Sequence, residues 1–507
     1  MPWNSAFCVA CPAARGLWNR FTLRWSSNDS KVAALEALGR LGKHAVPHLD
    51  AIVTLLEHDD DDVRWAAVEA LIKLGEHAPP QTGAIAALLE HGSWEVRRQM
   101  VYALGEFGEH AAPHIGAIIA RLDDSNQDVR YHVQTAICQL GEHAAPHGAA
   151  IVARLEHDES GVRKSAAQTL SEMYEHAAPY TGAIAARLEH AHPGVRKAAA
   201  EALASLREYA APHASAIAAR LEDDDSDVRG FAVLGLGRLA ELGRLGEHAV
   251  HHVSAIAARL VDDDSDVREH AVSILGRLGE LGRLGEHAAQ HVSAIAARLE
   301  DDDDGVVKSA AQVFGGLGPE LAAPHICALA AKLENFDYDE YLRRDAGFSL
   351  LTLGGKFAAP HATAIAAWMV DDPEACGSAA LEIAKFDGKH AVALARALAA
   401  RLGDDDPYVR LCAVEALGEL GEHAAQYFSA IAAQLEDDSV LSQLEDDNLE
   451  DVKDALAKLG EHKRKYNRGL WRKAAILHRL VSFWQHVTYM PGSRAAKRAR
   501  DHFEGLR

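Results

Sequence analysis

The sequence predicts an all-α fold, a right-handed α-solenoid of about 13 stacked two-helix repeats with a 33-residue period. Three observations carry that expectation. A basic residue following "DV" or its equivalent stands at Lys31, Arg64, Arg97, Arg130, Arg163, Arg196 and Arg229, each 33 residues after the last. The series continues at Arg268, Val307, Arg343, Gly377, Arg410 and Lys453, with insertions between some copies. The composition is rich in Ala, Leu, Glu and Arg, all good helix formers, and only 6% aromatic. Proline and glycine, finally, recur at the places where helices begin and end. One helix pair cannot bury its own apolar face, whereas stacked copies share a continuous core.

Each unit reads in the same order. The first helix opens on acid or Ser just before the anchor, as in "DDSDVRGFAVLGLG", where side-chain oxygens take the free N–H groups of the first turn. Pro193 and Pro407 lie three residues before their anchors, preceded by His192 and Asp406, a place suited to the first helical position. Val409, Ala413, Leu417 and Leu420 repeat at helical spacing. Glycine closes this helix at Gly108, Gly141 and Gly421. The second helix runs through "PHASAIAARLED", with Ile217 and Leu221 on one face and Pro113, Pro146 or Pro212 in its first turn. Abundant alanine permits close helix approach.

The pattern D-x-x-V-R-x-A-A-x-A-L-G-x-L-G resembles HEAT repeats, of the short HEAT-like type shared by phycobilin lyases and many scaffolds. The resemblance covers about residues 28–462. It implies a ladder of acid and arginine between successive units, for which Asp62 and Arg64, Asp227 and Arg229, and Asp266 and Arg268 are the matching pairs. Val307 and Gly377 break the pattern, which puts stacking around those two copies in question. The fold so implied hosts unrelated activities, so function has to come from particular side chains.

Charge divides the chain into three. Residues 1–27 carry Arg15, Arg20 and Arg24 and no acid; residues 463–507 carry 12 Lys or Arg against Asp501 and Glu504. With +3 and +10 on these ends, the net −22 leaves −35 for residues 28–462. Nucleic acid is therefore an unlikely partner for the body, whereas proteins with basic surfaces suit it. The leader resembles a transit peptide in being acid-free and Arg-bearing. A cytoplasmic location is expected, or a mitochondrion or plastid if the leader is cleaved. No run of about 18 apolar residues offers a membrane span. The six cysteines are too scattered for a disulfide framework, Cys8-x-x-Cys11 lacks a second pair, and buried reduced thiols are expected.

The motif "GEHAAPH" at 108–114 recurs letter for letter at 141–147, with variants at 42–48, 285–291 and 421–427. His110 and His114, like His44/His48, His143/His147, His248/His252 and His287/His291, have a spacing that can grip a metal on one helix face. A structural corner is the better reading. Neighbouring repeats stand about 10 Å apart, too far to supply the missing ligands, and a helix N-terminus disfavours a cation. The pair also decays without compensation, to Gln81, Tyr180 and Tyr209. Deoxyhypusine hydroxylase, a HEAT-like enzyme, holds two irons with four His-Glu dyads after the anchor arginine. Here those places read "VRYHV" (129–133) and "VREHA" (267–271), in reversed order and without four dyads. The acid runs Asp59–Asp62, Asp223–Asp225 and Asp262–Asp264 lack EF-hand spacing, since Val228 and Leu234 fall where Gly and Glu belong. No catalytic residue, metal or cofactor is expected.

Binding is expected where exposed positions differ among copies. The residue after the anchor reads Trp65, Arg98, Tyr131, Lys164, Lys197, Gly230 and Glu269, a mixed aromatic and cationic stripe of hot-spot residue types. A second candidate is the basic amphipathic tail. Leu470, Trp471, Leu477, Phe483 and Trp484 form an apolar face flanked by Lys463, Arg464, Lys465, Arg472 and Lys473. This face suits a solenoid cap, a membrane surface or a calmodulin-like partner within 463–490. The expected function is a non-enzymatic scaffold or adaptor for protein partners; the alternative is a bilin lyase or deoxyhypusine hydroxylase type of repeat enzyme. Insertions at 241–246, 280–285, 334–345 and 435–447 are further candidate binding loops.

Overall fold

The computed structural model describes residues 27–75, 82–334, 340–386 and 388–434. The candidates Trp471, Leu477, Phe483 and Trp484, the leader up to residue 26 and the 435–447 insertion lie outside them. Among the described residues there is no strand, and no helix is long and apolar enough to cross a membrane. The fold is an all-α solenoid of helix pairs. Contacts gather the chain into two compact units, Met1–Arg259 and Leu260–Arg507.

The leading helices of the first unit are α1 (Asn28–Arg40), α2 (Asp61–Leu74), α3 (Trp94–Glu106), α4 (Gln127–Leu140), α5 (Ser160–Glu172), α6 (Pro193–Ser205) and α7 (Ser226–Glu241). Those of the second are α8 (Ser265–Glu280), α9 (Asp304–Val313), α10 (Glu340–Thr352), α11 (Pro373–Ala384) and α12 (Pro407–Glu419). Within each unit every leading helix packs on the next. The period is visible in the core: Ile52, Ile85, Ile118, Ile151, Ile184 and Ile217 are all buried, as are Leu56, Leu89, Leu122, Leu155, Leu188 and Leu221. Each column is one apolar seam, and each fully buried Leu or Ile contributes about 1.5–3 kcal/mol. Stacking continues through both irregular copies, with Val307 buried in α9 and α11 packed on α10 and α12.

Helix starts follow the expected chemistry. Asp60 accepts from the Val63 N–H at 3.1 Å, Asn126 from Asp128 and Val129 at 2.7 and 3.3 Å, and Asp225 from Val228 at 3.1 Å. Pro193 and Pro407 open α6 and α12. The expected ladder is present, but its acid is a different one. The anchor arginine first turns back on its own repeat: Arg97 Nη1 donates to the carbonyls of His91 and Gly92 at 2.8 and 3.0 Å. The rest of the guanidinium clamps an aspartate of the following repeat. Arg97 Nε and Nη2 reach Asp124 at 2.6 and 2.7 Å, and Arg196 reaches Asp223 at 2.8 and 2.6 Å. Asp62, Asp227 and Asp266, the acids two places before their anchors, stay exposed. In α10 the rung is made by Arg344, the neighbour of the expected Arg343, which holds Asp372 at 2.7 and 2.9 Å.

The second helix departs from expectation. In place of one helix through "PHASAIAARLED" the chain makes a 3-10 stretch (Arg207–His213), six α-helical residues (Ala214–Ala219) and a closing 3-10 turn (Arg220–Glu222). Pro113, Pro146 and Pro212 therefore sit inside 3-10 turns, not in the first turn of an α-helix. A proline ring opposes the carbonyl four residues back and lacks an N–H, so the tighter turn is favoured. After the two six-residue insertions the helix is longer, Ala249–Ala258 and Ala288–Ala297, with His251 and Gln290 in the proline place. Gln426 also replaces proline yet keeps the 3-10 stretch Gly421–Tyr427. The insertion, with its own helix end, thus contributes to the change. At that end Gly243 and Arg244 N–H groups return to the carbonyls of Ala240 and Leu239 at 2.9 and 2.8 Å, and Leu242 is left exposed.

Candidate functional site

The predicted stripe divides in two. Trp65 and Tyr131 are exposed, at 39% and 61%, and Arg98 is half-buried with its guanidinium 5.9 Å from the Trp94 ring centre. Lys164 and Lys197 belong instead to a charge cluster. Lys197 Nζ lies 2.7 Å from Asp227, and both lysines oppose the burial that raises the Glu201 carboxyl above its usual range. Gly230 is buried in α7, while Glu269 of α8 accepts from the Ser309 hydroxyl at 3.1 Å.

Trp65 and Arg98 come together in an open groove of about 490 Å³ that is also lined by Asp61, Asp62, Gln99, Tyr102 and His132. The groove spans α2, α3 and α4. A row of rings runs along these three helices, and all but Tyr131 line the groove. Trp65 and Tyr102 lie 5.6 Å apart, tilted by 31°; Tyr102 meets His132 edge-on at 6.3 Å, and Tyr131 meets His132 at 5.7 Å. Such offset and edge-on pairs are the favoured aromatic arrangements. Tyr102 was absent from the sequence expectation, and so was His132 as a binding residue. Tyr102 stands one helical turn beyond Arg98, so extending the stripe to i+4 neighbours would have found it; His132 follows Tyr131 directly and carries no such signal.

The polar rim is asymmetric. Asp61 is held by Arg64 in an ion pair and by Gln99 Nε2 at 3.4 Å. Asp62 has no hydrogen bond or ion pair among the described residues and is exposed. His132 Nδ1 lies 2.8 Å from the Asp128 carbonyl, which can only accept, so Nδ1 carries a proton and, in the neutral ring, Nε2 is the acceptor. Burial, with help from Glu106 and Glu69, raises the Tyr102 phenol above its usual value.

The repeated imidazoles form corners. His110 and His114 sit in the 3-10 stretch Gly108–His114, not on one α-helical face. The second position of the motif reaches back to the preceding repeat: Tyr180 donates to the Ala145 carbonyl at 2.7 Å, and His213 Nε2 stands 3.3 Å from the Thr181 hydroxyl. His248 and His252 are 6.3 Å apart, His287 and His291 6.2 Å, both edge-on. No group of three or more His, Cys, Asp or Glu side chains suited to a metal is gathered among the described residues. The thiols are mixed, not all buried as expected. Cys138 and Cys327 are exposed, whereas Cys376 and Cys412 are buried, and the Cys376 thiol donates to the Cys412 carbonyl at 3.4 Å.

Tandem helix pairs sharing one apolar seam, with arginine rungs between them, define an α-solenoid of the helical-repeat class. Comparison with known families narrows the class. A model of HEAT repeats matches residues 214–313, and a HEAT repeat model matches residues 48–78 and 394–424. The chain carries HEAT repeats. No curated protein matches it in sequence. Among solved structures it is similar to Kap121p bound to Nup53p (TM-score 0.60, 13% identity, covering 92% of this chain and 59% of that one). It is also similar to importin beta (0.59, 16%, 95% and 74%) and to the Kap95 chain of a Kap95:Nup1 complex (0.57, 14%, 92% and 70%). This chain thus spans about three-fifths of the Kap121p chain. At these identities the likeness is one of fold.

Proposed function

We propose that this chain is a non-enzymatic scaffold that binds protein partners along its repeat surface, with partners that present basic groups favoured. The observation that carries this reading is the open groove across α2, α3 and α4, where partly exposed rings stand beside an unpaired carboxylate on a rigid, arginine-stapled frame. Exposed aromatics fixed by packing are strong interface anchors because little side-chain entropy is lost when they are covered. The acidic body supplies long-range attraction for basic surfaces. Solved neighbours of the same architecture include Kap121p with Nup53p and Kap95 with Nup1, both protein complexes. The test is affinity capture with the full chain and with a Trp65→Ala, Tyr131→Ala double variant. Proteins held by the wild type should be lost from the variant at unchanged helicity; equal recovery by both would reject the surface.

A further inference from the structure

The groove at Trp65 has a chemistry more specific than general stickiness, and we infer that it seats one arginine or lysine side chain from a basic segment of a partner protein. The inference deepens the scaffold reading and rests on it. Trp65 and Tyr102 pack on each other with ring centres 5.6 Å apart and planes tilted by 31°, and the exposed part of the Trp65 ring offers the groove a π surface against which a flat guanidinium or an alkyl-ammonium stem can lie. The groups around that surface accept hydrogen bonds. Asp62 has a free carboxylate, and the neutral His132 ring, with Nδ1 turned to the Asp128 carbonyl, has Nε2 as its acceptor. Asp61 is already neutralised by Arg64 and adds a positioned dipole more than a charge. An anionic guest would meet Asp62 and the negative faces of the rings.

Arg98 decides how many cations enter. Its guanidinium lies 5.9 Å from the ring centre of Trp94, one turn earlier on α3, and is engaged there and not on Trp65. Its charge remains within the groove and repels a second cation. The site therefore suits a single Arg or Lys flanked by small or acidic residues more than an unbroken basic run. This is a positional preference that overall charge alone would not produce.

The experiment is fluorescence anisotropy with the full chain and labelled Gly/Ser dodecapeptides that carry one arginine, one lysine, four consecutive arginines or one glutamate. A fifth probe is the peptide 463–490 of this chain. Saturable binding of the single-Arg and single-Lys peptides is expected. It should weaken roughly tenfold in Trp65→Ala and about threefold in Asp62→Asn, both exposed changes that leave the core intact. Arg98→Ala should strengthen the four-arginine peptide more than the single-arginine one. Equal binding by wild type, Trp65→Ala and Asp62→Asn would overturn the proposal, since attraction would then be diffuse. Preference for the glutamate peptide would also overturn it, in favour of Arg98 as the recognising group. Binding of the 463–490 peptide at least tenfold tighter than the others, and lost in Trp65→Ala, would reassign the groove to the chain's own tail and overturn the partner assignment. Failure of the scaffold reading is separable: capture experiments would return no protein even while the single-cation peptides bind.

Discussion

Two kinds of rung hold successive repeats together, and they differ by one residue. Six places before the anchor position the chain has aspartate in some copies, among them Asp124, Asp223 and Asp301 (the last before Val307), and histidine in others, His58, His91, His157 and His190. Both side chains perform one local task. Asp124 Oδ1 accepts the Asn126 N–H at 3.0 Å, and His157 Nδ1 accepts the Glu159 N–H at 3.1 Å, so the approach to the leading helix is the same. Only aspartate performs the second task of clamping the arginine of the preceding repeat. Where histidine stands, that arginine settles for less. Arg130 Nε reaches the Ser165 hydroxyl at 3.4 Å, and Arg163 Nε reaches the Gly194 carbonyl at 3.2 Å. The backbone is thus specified by either acceptor, while a two-pronged clamp on an arginine needs a carboxylate; among the described residues histidine reaches across only at the first anchor, where His58 Nε2 lies 2.8 Å from Lys31 Nζ.

The largest expected effect comes from removing a carboxylate. The Asp223 side chain is 2% exposed and that of Arg196 is 9% exposed, so Asp223→Ala takes the buried carboxylate from a guanidinium that then keeps only the exposed Asp224 and the carbonyls of His190 and Ala191. Breaking one partner of a buried pair costs about 3–5 kcal/mol when the other charge is left uncompensated, and with Asp224 still in reach a loss of about 3 kcal/mol is expected. The matching change His157→Ala removes one neutral hydrogen bond, about 1 kcal/mol. Hydrogen exchange across α5, α6 and α7 in each variant measures both; similar losses would mean that the two rungs are equivalent.

Acid should separate the rungs next. For Asp124 burial works to raise the carboxyl pKa, but the hydrogen bonds from Arg97 and the Asn126 N–H outweigh it and hold the group below its usual value. Asp223 and Asp301 are lowered in the same way by Arg196 and Arg268. A carboxyl with a depressed folded pKa stabilises fully above its unfolded value, about 3.9, and loses that contribution as pH falls through the folded value. His252 and His291 act in a higher window. Each is 5% exposed, and burial, reinforced by His251 and His248 or by His287, pushes the imidazole below its usual value. Their contribution is complete above about 6.5 and falls away as pH drops below it. Denaturation midpoints against pH should show two steps, and Asp223→Asn should reduce the lower one alone. A single step near pH 4 would contradict the role of the two histidines.

A gain is the sharper test. His157→Asp places a carboxylate where Arg130 can reach it, and should stabilise α4 and α5 by about 1 kcal/mol, the scale of a hydrogen bond to a charged group less its desolvation. No change in the urea midpoint would mean that Arg130 is already satisfied by Ser165.

The repeat was legible because period 33 survives in anchors, caps and core columns alike, and each is a local rule. The partner of the anchor was not legible, because the family pattern paired each anchor with the acid two places before it, whereas Arg97, Arg196 and Arg268 take an aspartate of the next repeat. The six-residue α-helix within the second element was hidden as well, since proline in a 3-10 turn and proline at a helix start leave the same letters. Of the predicted stripe, Trp65 and Arg98 line the groove, and Tyr102 and His132, which line it with them, lie off the single column of the repeat that the sequence reading followed.

The smallest effect concerns the corner itself. Gly108 and Gly141 enter the 3-10 turn at φ +52° and +48°, a conformation open to glycine at no steric cost. The same place holds Tyr174 and Arg207, at φ +44° and +50°, both exposed. Their side chains therefore carry backbone strain with no buried contact to offset it, and the strain is of order 1 kcal/mol. Tyr174→Gly and Arg207→Gly relieve it but make the unfolded chain freer, which removes part of the gain. A net stabilisation of about 0.5 kcal/mol each is expected, read as a higher thermal midpoint, and the two should add because the corners belong to different repeats. Destabilisation by either change would show that the corner is held by the side chain and not by the backbone. The fixed turn would then need a further contact that the Asp and His rungs do not supply.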